Sequence, residues 1–317
     1  MNRLASILIA FALLLSPSIA RAAVIYASGQ LLIENDPGTH DDVRENRIFR
    51  IDTTTGIATP ASPIFAGSTP AGLAGTSSGE LLGIRSSRLG KVDIASGTFS
   101  AIGAALPSNS TAFDIMSDGR GFVLPFNSDF ETQQLYSLDL VTAAATPIGS
   151  ATAIGDAIDS AAGAAPGTAE PFIISLGSVG ANLYGIDLDS NSLISLDPTT
   201  GAASVIGALG SVAGSNGGGH SGFAALTGTD EDADGVFDTL YGAVNFGPAG
   251  ERLGGLARFD LLNGTWSLVG TNAGLIYFGF GAHVVPEPST FILAGIGCVA
   301  LLGQAWRSRR ARVAGRP

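Results

Sequence analysis

Leu193-Ile-Ser-Leu-Asp197-Pro-Thr-Thr-Gly201 recurs in looser form along this chain of 317 residues. The other copies are Ile48-Phe-Arg-Ile-Asp52-Thr-Thr-Thr-Gly56, Leu89-Gly-Lys-Val-Asp93-Ile-Ala-Ser-Gly97, Leu135-Tyr-Ser-Leu-Asp139-Leu-Val-Thr-Ala143 and Leu256-Ala-Arg-Phe-Asp260-Leu-Leu-Asn-Gly264. Alternating apolar residues make a strand, and the aspartate accepts backbone N–H bonds in the turn that follows. Four residues later a glycine supplies the positive φ that brings the chain back as a hairpin. The aspartates stand 41, 46, 58 and 63 residues apart, a period suited to four-stranded propeller blades with growing insertions. They read as structural rather than catalytic.

Each unit is completed by its neighbours in sequence. A second strand is visible as Val24–Ala27, Leu81–Ile84, Gly121–Leu124, Leu183–Ile186 and Leu240–Ala243. A first strand appears as Ala71–Ala74, Thr111–Ile115 and Ser221–Ala225, with a poorer copy at Pro171–Ile174. Fourth strands read as Phe99–Gly103, Ala145–Gly149 and Ser204–Gly207. The first unit lacks its first strand, whereas Ala273–Phe280 is a spare one at the far end. A ring has no exposed edge if that spare strand completes the first blade. The expected fold is therefore all-β, a propeller of five four-stranded blades closed around Leu275–Phe280. Six blades are the alternative, and a β-sandwich ranks third. Glu34–Glu45, Asp156–Glu170 and Gly210–Gly219 read as loops, and no helical pattern of useful length appears between residues 23 and 283.

Both termini read as address labels. Asn2-Arg3 leads into an apolar run from Leu4 to Leu15, and Ala20-Arg21-Ala22 supplies the small-x-small pattern of signal peptidase, placing cleavage after Ala22. The other end carries Pro286-Glu287-Pro288, an apolar segment from Phe291 to Trp306, and then Arg307, Arg309, Arg310 and Arg312. Sixteen helical residues reach about 24 Å, slightly short of a ~30 Å hydrocarbon core, and flanking arginines can snorkel to make up the difference. The basic cluster would stay cytoplasmic.

This carboxy-terminal layout resembles the PEP-CTERM sorting signal, a module also labelled as an ice-binding protein carboxy-terminal domain. The resemblance covers about Val284 to Arg312. It implies recognition by an exosortase, a membrane cysteine protease, in a Gram-negative bacterium that makes extracellular polysaccharide. The expected organisation is a signal peptide (1–22), an exported propeller (23–283), the sorting signal with a transmembrane helix at about 291–306 (284–312), and a short tail (313–317). The destination is the cell surface or matrix after transient anchoring, and signal peptidase is the other processing partner.

Composition agrees with export. The chain has a net charge of −11, 44 glycines and one cysteine, Cys298, which sits in the sorting helix. One cysteine forms no intramolecular disulfide and no thiolate zinc site. Between Ala23 and Thr290 the chain carries 27 acidic against nine basic residues, with Lys91 as its lone lysine. That balance argues against direct adhesion to anionic membranes or nucleic acid and suits divalent cations.

The strongest chemical pattern is Asp230-Glu-Asp232-Ala-Asp234-Gly235-Val236-Phe-Asp238. Carboxylates at positions 1, 3, 5 and 9, with Gly235 at the sharp turn and the Val236 carbonyl at position 7, point oxygens at one centre, as Ca²⁺ requires. Position 12 is Tyr241 rather than Glu, so this is no EF-hand. The segment resembles the Asp-rich hairpin loops of integrin-type propeller repeats and thrombospondin type 3 loops, which implies a structural Ca²⁺ between two strands. The polar cluster of Glu34, Asp36, His40, Asp41, Asp42 and Glu45 matches no ligand spacing and reads as a solvated loop. His220 beside Ser221 lacks the strand-to-helix elbow of a nucleophile, and His283 reads as linker. The favoured function is a non-catalytic exported propeller that binds a surface protein or polysaccharide. The alternative is a propeller hydrolase or lactonase with a metal in its central channel.

Overall fold

The computed structural model describes residues 24–34, 43–107, 110–125, 132–210, 222–232, 234–246 and 253–282. The signal peptide, the polar cluster's Asp36 to Asp42, His220, Ser221, His283, the sorting helix and Cys298 lie outside them. The first strands are β1 (Val24–Glu34), β2 (Val43–Asp52) and β3 (Ala58–Pro60). Next come β4 (Gly72–Gly75), β5 (Leu81–Arg85), β6 (Arg88–Asp93) and β7 (Thr98–Ala101), then β8 (Ser110–Ile115), β9 (Gly121–Pro125), β10 (Leu135–Leu138) and β11 (Ala145–Ile148). Helix α1 (Ala153–Ala162) precedes β12 (Ile173–Val179), β13 (Asn182–Asp187), β14 (Ser192–Leu196) and β15 (Ala203–Ala208). The last are β16 (Phe223–Thr229), β17 (Thr239–Phe246), β18 (Leu253–Phe259), β19 (Trp266–Ala273) and β20 (Leu275–Ala282).

Five antiparallel four-stranded sheets result, and only one breaks chain order: β20-β1-β2-β3. The spare strand does complete the first blade, pairing from Leu31↔Leu275 to Ile25↔Ala282. The inner strands β4, β8, β12, β16 and β20 pack beside one another around the axis. Closure removes the two open edges that β1 and β20 would otherwise present.

The core explains why the second strands read as continuous apolar runs. Five buried clusters occupy the five junctions between blades, so each blade is covered on both faces. β9 and most of β17 are accordingly buried throughout, whereas the outer β3 and β7 are largely exposed. At the closing junction Tyr277 and Phe280 stack edge-on at 5.1 Å beside Ile25, Phe49 and Leu256. Such aromatic pairs contribute about 0.5–1.5 kcal/mol beyond their burial.

The repeated aspartates behave as the turn chemistry requires. Oδ1 of Asp52 accepts N–H bonds from Thr54 and Thr55, and that of Asp197 from Thr199 and Thr200. Asp93 and Asp139 repeat the pair, and Asp260 accepts from Leu262. The fourth residue on closes each turn by donating to the aspartate carbonyl. It has positive φ in every copy, including Ala143 at 60°, where a side chain occupies a conformation that favours glycine.

Three expectations need correction. The insertion at Asp156–Glu170 is not all loop, because α1 occupies its first part. Ile154 and Ile158, one turn apart, are buried against the cluster between blades 3 and 4, and Gly163 ends the helix in the left-handed conformation. Two apolar residues among Ala, Gly, Asp and Ser make too faint a stripe to stand out in sequence. In the first insertion, strand reaches Glu34 on one side and resumes at Val43 on the other. The poor first-strand copy is shifted: β12 begins at Ile173, held by Gln133, whose side chain both accepts from and donates to that residue's backbone.

Candidate metal centre and sorting signal

The Asp230–Asp238 segment connects β16 to β17, the inner and second strands of blade 5. β16 and β17 hold it as a hairpin: Thr229 pairs with Thr239, and Asp238 N–H donates to the Thr229 carbonyl at 2.8 Å. Gly235 takes φ 91°, the sharp turn expected of it. Phe237, buried, anchors the loop, and its carbonyl accepts from Gly180 of blade 4.

Three of the five expected ligands converge. Asp230, Asp232 and Asp234 each offer a carboxylate oxygen, all within 4.8 Å of one another. Four backbone bonds shape this cradle, from Asp234 N–H to Asp230 and Asp232, from Gly235 N–H to Asp230, and from Val236 N–H to Asp234. Asp238 stands outside the group and accepts from Glu231 N–H at 3.3 Å. Val236 is 45 % exposed and is not among the converging carboxylates. Oxygen donors at this spacing suit a hard cation, while close carboxylates without one repel.

Glu231, which the sequence did not single out, turns the other way. Tyr241 Oη donates to its carboxylate, and Arg258 lies 3.4 Å from it. Burial, and then this bond to Glu231, pushes the Tyr241 hydroxyl well above the ordinary phenol range. The loop is thus tied to β17 and β18 through Glu231 while its three aspartates face one another. Only the alternation of positions 230, 232 and 234 with 231 hinted at this division.

Among the described residues, no second group of three acidic or histidine side chains converges in this way. The five inner strands approach one another at Gly72, Thr111, Ser175, Ala224 and Gly279, where a gap of about 10 Å³ remains among the described residues. Glycines permit this contact: a Cβ on Gly72 would stand 2.5 Å from the Thr111 carbonyl oxygen, and one on Gly228 1.7 Å from that of Ser178. A shallow groove of about 300 Å³ lies between the turns of blades 3 and 4, lined by Arg120, Phe122, Leu140 and Pro198. Arg120 sits over the Phe122 ring at 5.6 Å and is paired with Asp118.

Among the described residues, no helix is long and apolar enough to cross a membrane. The expected cleavage residues Ala20 and Ala22, the motif Pro286, Glu287 and Pro288, and the basic cluster Arg307, Arg309, Arg310 and Arg312 lie outside those residues. Among curated proteins nothing matches the chain. Solved structures of similar shape include a nidogen/laminin complex, at 11% identity and TM-score 0.46, covering 84% of this chain and 100% of that one. Another is virginiamycin B lyase from Staphylococcus aureus, at 10% identity and TM-score 0.38, covering 78% and 74%. A third is a putative 6-phosphogluconolactonase from Bacteroides uniformis, at 14% identity and TM-score 0.37, covering 80% and 83%. At such identities and scores these likenesses carry no argument about activity. Residues 284–310 match the model of the PEP-CTERM protein-sorting motif, which implies export, membrane-anchored sorting and exosortase processing. The chain is thus a five-bladed β-propeller carrying a PEP-CTERM sorting motif directly behind its closing strand.

Proposed function

We propose that the exported propeller is a non-catalytic binding module of the cell surface or extracellular matrix, which takes a polysaccharide or surface protein as partner. The observation that carries this reading is the close approach of the inner strands where they meet. A central-channel hydrolase or lactonase needs carboxylates and imidazoles from several blades converging on an open cavity. Here the inner strands come into backbone contact, and the residues around their meeting point are apolar or hydroxylic. In this reading a signal peptide ending at Ala22 leads export, a helix at about 291–306 anchors the protein, and the exosortase releases it. Binding to a glycan array by the exported domain tests the partner class. Turnover of lactone or glycoside substrates by a metal-loaded sample would overturn the non-catalytic reading.

The same proposal places a structural Ca²⁺ on Asp230, Asp232 and Asp234, supported by the mutual approach of their oxygens. The ion would pin the β16–β17 hairpin, with affinity on the order of 10⁻⁴–10⁻³ M as in extracellular modules. Isothermal titration of Ca²⁺, with an Asp232→Ala, Asp234→Ala double variant as control, decides it. Heat above the control is expected, and identical traces would remove the site.

A further inference from the structure

The sorting motif leaves the propeller from a defined place. β20 is an innermost strand, so its last residue, Ala282, lies at one end of the ring's axis. Nine Cα–Cα steps separate Ala282 from Phe291, where the anchoring helix is expected to begin, a reach of at most about 30 Å even fully extended. While the anchor is intact, the surface around Ala282 is therefore kept within about 30 Å of the membrane.

Topology identifies that surface. Inner strands run parallel to one another: Gly279 lies against Ala71 and Gly281 against Ala74. Within each blade the strands alternate in direction, so the turns joining first to second and third to fourth strands share the end at which β20 leaves. Register confirms this in blade 1, where Ala282, Ile25, Ile51 and Ala58 form one row across the sheet. The five turn aspartates and the Asp230–Asp238 loop thus all belong to the exit face. Connections from fourth to first strands, including α1, belong to the opposite face.

The exit face has a second feature. Two of its turns end in bare apolar side chains: Val141 is 83% exposed and Leu262 is 92% exposed. Both occupy the same repeat position, two residues after the aspartate, in blades 3 and 5. Apolar turn tips on the face from which the tether leaves gain free energy on entering the headgroup region of a bilayer, through burial of their side chains.

We propose that, before processing, the propeller rests on the phospholipid surface through this exit face, with Val141 and Leu262 at the interface, and presents the α1 face outward for partners. This rests on the anchored-sorting reading above. The contact is short-range and works against repulsion between the acidic turns and anionic lipid, which the high local concentration imposed by the tether offsets.

The test uses the full chain with Cys298→Ala, reconstituted in phosphatidylethanolamine–phosphatidylglycerol vesicles. Single variants Val141→Cys, Leu262→Cys and Ser160→Cys, the last on the exposed side of α1, are labelled with a membrane-impermeant maleimide. Relative to detergent, labelling at positions 141 and 262 is expected to slow at least fivefold, with position 160 unchanged. Equal labelling at all three, or equal slowing of all three, overturns the proposal. Flotation of the same samples separates the two readings. A chain that floats without protecting its exit face defeats only the docking, whereas one that fails to float defeats anchoring and docking together.

Discussion

Gly270, on the outer strand of blade 5, and Gly56, in the turn of blade 1, meet through their main chains. A Cβ on Gly270 would stand 2.1 Å from the Thr55 carbonyl oxygen, and one on Gly56 2.6 Å from the Gly270 Cα. The contact recurs around the rim, with Gly103 on Thr142, Gly149 on Thr200 and Gly207 on Asn263. In four of the five joints an outer glycine therefore seats the next blade's turn, while at the joint between blades 1 and 2 the turn glycine Gly97 faces the Pro63 carbonyl. The joint at Gly270 also closes the ring.

Gly270→Ala should cost about 1–3 kcal/mol, the usual penalty of overpacking a closed contact. Gly207→Ala, with 2.0 Å to the Asn263 carbonyl oxygen, should behave alike. Thermal unfolding of the two variants checks this. An unchanged midpoint for both would show that the rim can open at no cost.

Beside the same joint, Asn272 links three segments. Its side-chain amide donates to the Gly56 carbonyl and to Tyr277 Oη, and its oxygen accepts from Ala58 N–H. Asn272→Ala should lower stability by about 2–3 kcal/mol, because partly buried backbone groups lose partners. Urea unfolding measures the loss, and the nearby but exposed Thr271→Ala serves as the control expected to change little.

Asp114 gives a pH signature. It is 2% exposed on inner strand β8, and its Oδ2 lacks a hydrogen-bond partner. Burial raises its carboxyl to about 7, against the weaker opposing pull of the Ser178 hydroxyl. The folded chain thus keeps a proton that the unfolded chain, at 3.8, has released. Stability from this group is full below about pH 4 and is lost as pH rises through about 7. Asp114→Asn should remove that slope, making the variant more stable relative to the parent at pH 8 than at pH 4. Denaturant midpoints across this range read the difference.

The turn aspartates titrate in the opposite sense. Backbone N–H bonds from Thr142 and Val141 hold the Asp139 carboxyl below the ordinary aspartate value, and those from Thr199 and Thr200 do so for Asp197. Their contribution is present above about pH 4 and is lost as pH falls through their depressed values. Asp139→Ala and Asp197→Ala should each lower the melting temperature at pH 7, with the gap to the parent narrowing below pH 3. A gap constant with pH would mean that the carboxylate is not the stabilising group.

Much of the fold was legible because its unit is local. An alternating strand, an aspartate whose Oδ1 caps the turn and a residue at positive φ all lie within nine positions, so the motif at Leu193–Gly201 carries its own structure. The spare strand before the sorting motif was legible for a different reason: an unpaired edge is costly, and one surplus segment matched one deficit. Helix α1 was not legible, since its two isoleucines gain their meaning only from the Phe122, Leu135 and Leu183 side chains they cover. The Asp-rich loop was readable in its alternation, but not in the separation of Asp238 from the converging group or the turn of Glu231 onto Tyr241 and Arg258.

Sequence alone determined the repeat, the ring closure, the acidic surface and the sorting signal, because each depends on residue type at fixed spacing. Tertiary structure decided the rest, because it depends on distances between segments far apart in the chain. It drew the inner strands together by bringing glycines onto neighbouring backbones, isolated Asp114 from water, and gathered Asp230, Asp232 and Asp234 while leaving Asp238 aside. It also put the exit of β20 and the bare tips of Val141 and Leu262 on one face, a coincidence that only alternating strand direction around a closed ring can produce.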